Sequence, residues 1–190
     1  MDEIRSQLQA HQALLARLTE EPYPSLVQTL AARIIAAYRE GGKLVIFGNG
    51  GSAADAQHVA AEMVSRFRRE RPALPAIALT TNSSILTAIG NDYAYDRIFV
   101  RQVEAMVAPQ DVVIGITTSG NSPNVVAALR AARERGAWTA ALTGEGGGLA
   151  AQAADFCLAM PSRDTPRVQE AHITLLHIIC DLVEAGLYGA

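Results

Sequence analysis

From residue 43 onward the chain alternates short apolar runs with longer stretches whose apolar residues recur every three to four positions. The runs are Lys43–Phe47, Ala76–Thr80, Val112–Ile116, Thr139–Thr143 and Phe156–Met160, each the length of a buried strand. Helical spacing covers Ala53–Phe67, Ser83–Ile89, Tyr95–Val107, Asn124–Arg135 and Pro166–Leu187. Strands that are apolar throughout, alternating with helices, predict an α/β fold. Its five strands form a parallel sheet covered by helices on both faces, three layers in all.

Two further helices precede the first strand. Leu8, His11, Leu14, Leu15 and Leu18 fall on one helical face, and Pro22 and Pro24 interrupt the pattern. A second helix is expected after a Ser25 cap, with Leu26, Leu30, Ile34, Ile35 and Tyr38 as its apolar face, ended by Gly41-Gly42. This pair has no place in a minimal α/β unit, so it is expected to cover one sheet edge or to pack on another subunit. No low-complexity linker divides the chain. One domain is expected over 1–190, with the helical pair at 1–41 and the α/β core at 42–190.

Composition narrows the class. The 190 residues are 49% hydrophobic and 18% charged, with a formal net charge of −3, ordinary for a globular domain. That charge gives no electrostatic reason to expect nucleic acid or an anionic membrane as partner. The basic run Arg66-Phe67-Arg68-Arg69-Glu70-Arg71 reads as a solvated helix end, its cations near the C-terminal dipole. Cys157 and Cys180 have no CxxC spacing and read as reduced core thiols. The first residues lack the apolar core of a signal peptide, and no apolar stretch reads as a membrane span, so a cytoplasmic location is expected.

Two loops carry candidate chemistry. Val45-Ile46-Phe47 runs into Gly48-Asn49-Gly50-Gly51-Ser52 and then into an alanine-rich helix. Glycines let a backbone approach a ligand closely, and a helix N-terminus attracts anions. The pattern returns where Val112–Ile116 leads into Thr117-Thr118-Ser119-Gly120-Asn121-Ser122 and another helix. Four hydroxyls beside free helix N–H groups can surround a phosphate; the competing reading is an ordinary Ser/Thr helix cap. In an open parallel sheet both loops lie at the carboxyl ends of strands, where ligand crevices form. Two such loops favour a phosphorylated ligand.

Of the four histidines, His11 lies on an apolar helix face and reads as core, while His172 and His177 share the last helix. His58 stands out because it follows the glycine loop on one helix and meets Glu62 at i,i+4. Such pairs are often only surface contacts.

Taken together, Gly48–Ser52, Asp55-Ala56-Gln57-His58, Gly90-Asn91-Asp92-Tyr93, Thr118–Ser122 and Gln169-Glu170-Ala171-His172 resemble the phosphoheptose isomerases of the sugar-isomerase (SIS) superfamily. The resemblance covers nearly the whole chain, with the motifs in the family's order. It implies a flavodoxin-like doubly wound sheet with N-terminal helices added. It also implies isomerisation of sedoheptulose 7-phosphate to D-glycero-D-manno-heptose 7-phosphate for lipopolysaccharide core or other surface glycans. Asn49, Gly50, Gly51 and Ser52, with Asn91 and Asp92, match substrate positions. Thr117, Thr118, Ser119 and Ser122 match the phosphate loop, although many members have Ser where this chain has Thr117. His58, Glu62, Gln169 and His177 match the positions associated with Zn²⁺, one per subunit. Gln169 and Glu62 also touch substrate, and Glu62 with His177 is the acid/base pair. A homotetramer with sites where subunits meet is implied as well.

The residue types suit that chemistry. A carboxylate can move a proton between adjacent carbons while an imidazole or Lewis acid stabilises the oxyanion. Two imidazoles, a carboxylate and an amide oxygen suit Zn²⁺, which leaves Glu62 as base, ligand or both. One tension is geometric. On a straight helix Gln169 and His177 are roughly 12 Å apart along the axis, so either the first turn near Pro166 is distorted or two subunits contribute ligands. Rival readings are a replication-initiator-associating protein of the same superfamily and a sugar-phosphate sensor that does not catalyse. The first lacks counterparts of Glu62 and His177; both are present here.

Overall fold

The computed structural model describes residues 1–189. Helices α1 (Asp2–Leu18) and α2 (Tyr23–Arg39) lead into β1 (Leu44–Gly48), α3 (Gly51–Val64), β2 (Ala76–Ala78) and α4 (Ser83–Asp92). A 3₁₀ turn at Tyr95–Arg97 and α5 (Val100–Met106) precede β3 (Val112–Thr117), α6 (Pro123–Glu134) and β4 (Trp138–Thr143). The chain then forms α7 (Gly148–Ala153), β5 (Phe156–Ala159) and α8 (Thr165–Tyr188). The five strands lie in the order β2-β1-β3-β4-β5, and every neighbouring pair is parallel. This is the doubly wound, flavodoxin-like order, with its switch point between β1 and β3.

Strand alternation divides the core in two. Leu44 and Ile46 face a layer built from α1, α2, α3 and α8, with Leu14, Leu30, Val59 and Leu176 among its buried residues. Val45 and Phe47 point the other way, toward Val103 of α5, Leu129 of α6 and Ala150 of α7. Burying each large side chain of this kind contributes about 1.5–3 kcal/mol, which is why all five β1 residues are buried.

Several expectations need correction. The N-terminal pair covers a sheet face rather than an edge, with α2 packed on α8, β3 and β5 and α1 packed on α8. Ser25 does not cap α2. Pro22 occupies the cap and Pro24 the first turn, where a missing N–H removes no helical bond. The single helix expected over Tyr95–Val107 is broken: a 3₁₀ turn ends at Arg97, the buried Ile98 and Phe99 link it to α5, and the α-helix begins only at Val100. The short α7 escaped the periodicity because four of its six residues are alanine or glycine, with Leu149 the one large apolar side chain. Helix α8 is long and apolar enough to cross a membrane, with a mean hydropathy of 1.3 over an 18-residue window, contrary to the expectation. It serves as a core helix, burying Val168, Leu175, Ile179 and Val183.

The largest departure is at the basic run. Helix α3 stops at Val64, and residues beyond it coil back instead of extending a solvated end. The Arg71 side chain is fully buried.

Candidate active site

The two loops flank the switch point between β1 and β3. Gly50 takes φ +56° to turn the chain from β1 into α3, a conformation L-residues seldom adopt. At Gly51 a Cβ would meet the side-chain amide of Gln169 and push it aside, so the glycine is what lets that amide sit against the start of α3. Asn49 and Asn124 exchange two hydrogen bonds: Asn49 Nδ2 donates to Asn124 Oδ1 at 2.9 Å, and Asn124 Nδ2 donates to Asn49 Oδ1 at 2.8 Å. Asn124 Oδ1 also accepts the Val125 N–H at 2.9 Å. The glycine loop is thereby fastened to the first turn of α6. Asn124 is not among the sequence candidates; its place as the second residue of the helix after the hydroxyl loop was the available signal.

The hydroxyl loop is organised around Thr117, which is 3% exposed. Its Oγ1 lies 3.0 Å from Ser122 Oγ and 3.2 Å from Ser119 Oγ. Ser122 is the N-cap residue of α6, yet its side chain caps nothing, which removes the ordinary-cap reading. A cavity of about 300 Å³ opens here, lined by Asn49, Tyr95, Asp96, Ser122, Pro123 and Asn124. A larger crevice of about 510 Å³ lies around Arg33, Asp111 and Trp138, at the opposite ends of the strands. It holds none of the loop or histidine residues, so its size does not make it the site.

Helices α3 and α8 bring the second constellation together. His58 Nε2 stands 2.8 Å from His177 Nε2 and 3.4 Å from Glu62 Oε1. Phe67 stacks on the His177 ring, with centroids 5.5 Å apart and planes 26° apart. Gln169 lies elsewhere, against Gly51 and Asp55. Helix α8 is unbroken from Thr165, so a distorted first turn does not carry Gln169 to His177. Asp55, 8% exposed with Oδ2 unpartnered, has a raised pKa. Burial pushes it up, against the opposing pull of His58 and the Gln169 amide.

Other chosen residues fall outside both groups. Ser52 is buried, its N–H bonded to the Asn49 carbonyl at 3.0 Å. Asn91 and Asp92 sit at the exposed end of α4, bonded to each other at 2.8 Å rather than to either loop. His11, expected in the core, is half-buried, with Nδ1 2.7 Å from Glu170 Oε2. His172 is fully buried, its Nε2 3.0 Å from the Thr143 carbonyl.

The donors of the α3/α8 group suit Zn²⁺ in kind: two imidazoles and a carboxylate. Their spacing is that of a hydrogen-bonded pair. Nitrogens bound about 2.0–2.1 Å from one tetrahedral ion stand about 3.3 Å apart, so the two rings must part slightly to hold a metal together. Among the described residues no three of His, Cys, Asp and Glu already form such a set.

The doubly wound sheet, with a glycine loop and a hydroxyl loop at its switch point, is that of an SIS domain, to which α3 and α8 add a His/Glu group. The family pattern for that domain matches residues 8–144. A phosphoheptose isomerase of Geobacter sp. (strain M21) is 58% identical over 188 residues, which is 99% of this chain and 97% of that one. The solved phosphoheptose isomerase of Neisseria gonorrhoeae superposes with a TM-score of 0.90 at 41% identity, over 97% of this chain and 98% of that one. That of Francisella tularensis gives 0.91 at 34% identity, over 96% of each. The chain belongs to the phosphoheptose isomerase family, enzymes that isomerise sugar phosphates.

Proposed function

We propose that this chain converts D-sedoheptulose 7-phosphate to D-glycero-D-manno-heptose 7-phosphate, in the cytoplasm, for the heptose units of lipopolysaccharide core or related surface glycans. The observation that carries the reading is the meeting of His58, Glu62 and His177 on two helices of a chain whose switch point carries a glycine loop and a hydroxyl loop. The Thr117, Thr118, Ser119 and Ser122 hydroxyls and the α6 N-terminus would hold the phosphate, and the Asn49–Gly51 backbone the sugar. Glu62 would take the C1 proton of the ketose and return it to C2, while His177 exchanges protons with the two sugar oxygens. His58, Glu62, His177 and Gln169 would hold Zn²⁺, which when bound supplies Lewis-acid stabilisation of the oxyanion.

The site is proposed to be shared between subunits of a homotetramer. Glu62 lies eleven residues along α3 from Gly51, about 16 Å at the helical rise, longer than an extended seven-carbon sugar phosphate. Within one chain the His58 side chain is 47% exposed, and Ile4 and Leu8 of α1 are 66% and 58% exposed. A second copy that placed its His58, Glu62 and His177 over the loops and Gln169 of the first would cover these residues and close the distance. A fully active monomer would overturn that arrangement.

The test is isotopic. The pure protein with Zn²⁺ and sedoheptulose 7-phosphate in D₂O should place deuterium at C2 of the heptose phosphate. Glu62→Gln and His177→Ala should each lower turnover by about 10²–10⁴-fold while the fold is kept. No deuterium incorporation by the wild-type protein would leave only a binding role.

A further inference from the structure

The segment after α3 is folded around an ion pair that no solvent reaches. The side chains of Arg71 and Glu184 are both 0% exposed, with Nε 2.9 Å from Oε1. Glu184 accepts the backbone N–H groups of Phe67 at 2.7 Å and of Arg68 and Arg69 at 2.9 Å. The guanidinium donates to the carbonyls of Glu62 and Met63 at 2.8 Å and of Pro72 at 3.0 Å. Burial pushes the Glu184 carboxyl up, but the three N–H groups and the guanidinium outweigh it and bring its pKa down to about 2. The pair therefore stays charged at neutral pH.

Buried ion pairs contribute little net stability, because desolvation offsets the attraction. The connections of this pair point to a different use. Arg71 Nη2 holds the backbone carbonyl of Glu62 itself. Phe67, whose N–H is fixed by Glu184, lays its ring on His177. One end of the network therefore sets the backbone of the carboxylate, and the other sets the face on which the imidazole rests. Neither Arg71 nor Glu184 is accessible from the site.

We propose that Arg71 and Glu184 are positioning residues for the isomerisation, fixing Glu62 through the end of α3 and His177 through the Phe67 ring. The inference rests on the assignment of Glu62 and His177 as the acid/base pair. Misplacing a reacting group by about 1 Å can cost about 100-fold in rate, so small movements of this segment should register in turnover.

Three variants test it: Glu184→Gln, Phe67→Leu and Phe67→Tyr. Glu184→Gln and Phe67→Leu should lower kcat by about 10–100-fold and keep KM within about twofold. The ring resonances of His177 should shift in both. Phe67→Tyr retains the stacked ring and should restore kcat and the wild-type resonances. Wild-type kcat and unshifted His177 resonances in folded Phe67→Leu would overturn the proposal. Phe67→Leu leaves the ion pair intact, so the comparison with Phe67→Tyr stands even if Glu184→Gln fails to fold. If the wild-type protein shows no isomerisation, the functional reading fails, and the His177 resonances of Glu184→Gln, which keeps the Phe67 ring, still show whether the ion pair sets the position of that imidazole.

Discussion

The Nε2 atoms of His58 and His177 stand 2.8 Å apart, joining residues 119 positions apart in sequence. At that distance one ring donates and the other accepts, so the hydrogen bond holds a single proton between them. A metal ion held by both nitrogens would have to displace that proton and open the pair to about 3.3 Å. Titrating the metal-free protein with Zn²⁺ alone, followed by chelator competition, should give one ion per chain. His58→Ala and His177→Ala should each weaken binding by about 100-fold or more, whereas His11→Ala should not. Wild-type affinity in His58→Ala would remove this pair from the metal site.

The Asn49–Asn124 exchange makes a second prediction. In Asn124→Asp the carboxylate can still accept from Asn49 Nδ2 and the Val125 N–H, but it faces Asn49 Oδ1 with no proton between them. Leaving a part-buried acceptor unmatched costs about 1–3 kcal/mol. The variant should unfold at correspondingly lower denaturant, and KM for sugar phosphate should rise because one of the two bonds tying the glycine loop to α6 is replaced by a repulsive oxygen–oxygen contact. Asn124→Ser, which can still donate, should be milder in both measurements. Equal stability and KM in Asn124→Asp and wild type would show that the exchange has no such role.

The parts of the site that were legible in the sequence were those written in local pattern. Thr117–Ser122 follows a buried strand and opens a helix, and His58 and Glu62 share a face by their spacing alone. The contacts that organise the site were not legible, because they join residues far apart in sequence. Gln169 facing Gly51, Phe67 on His177 and Arg71 against Glu184 all cross from the α3 region to α8. The basic run shows why. Charge counting treats its arginines alike and places them in solvent, whereas the fold buries Arg71 against Glu184. The fold class survived because alternation of whole strands and helices averages over such details. The break between Tyr95 and Val100 did not, since it depends on how Ile98 and Phe99 pack in the core rather than on the local pattern.

His172 supplies a prediction about stability. The Thr143 carbonyl can only accept, so His172 Nε2 carries the proton and donates across 3.0 Å, while Nδ1 is buried with no partner. Protonation would place a charged N–H at Nδ1 with neither water nor acceptor. Burial accordingly lowers the pKa from 6.5 to about 4, with the Thr143 bond opposing the shift. As pH falls below 6.5 the unfolded chain binds a proton at this residue before the folded chain does, so stability is lost. The contribution is complete above pH 6.5 and declines until the folded pKa near 4 is passed, a total of about 3 kcal/mol. Glu184 also has a depressed pKa, but its window lies lower, between 4.5 and about 2. Urea unfolding of the metal-free protein between pH 7 and 5 therefore isolates His172 from it. His172→Gln, which keeps an N–H for Thr143 and cannot titrate, should reduce the slope of stability against pH by up to about 1.4 kcal/mol per unit. Parallel stability curves for the two proteins across that window would show that His172 is not held neutral by burial.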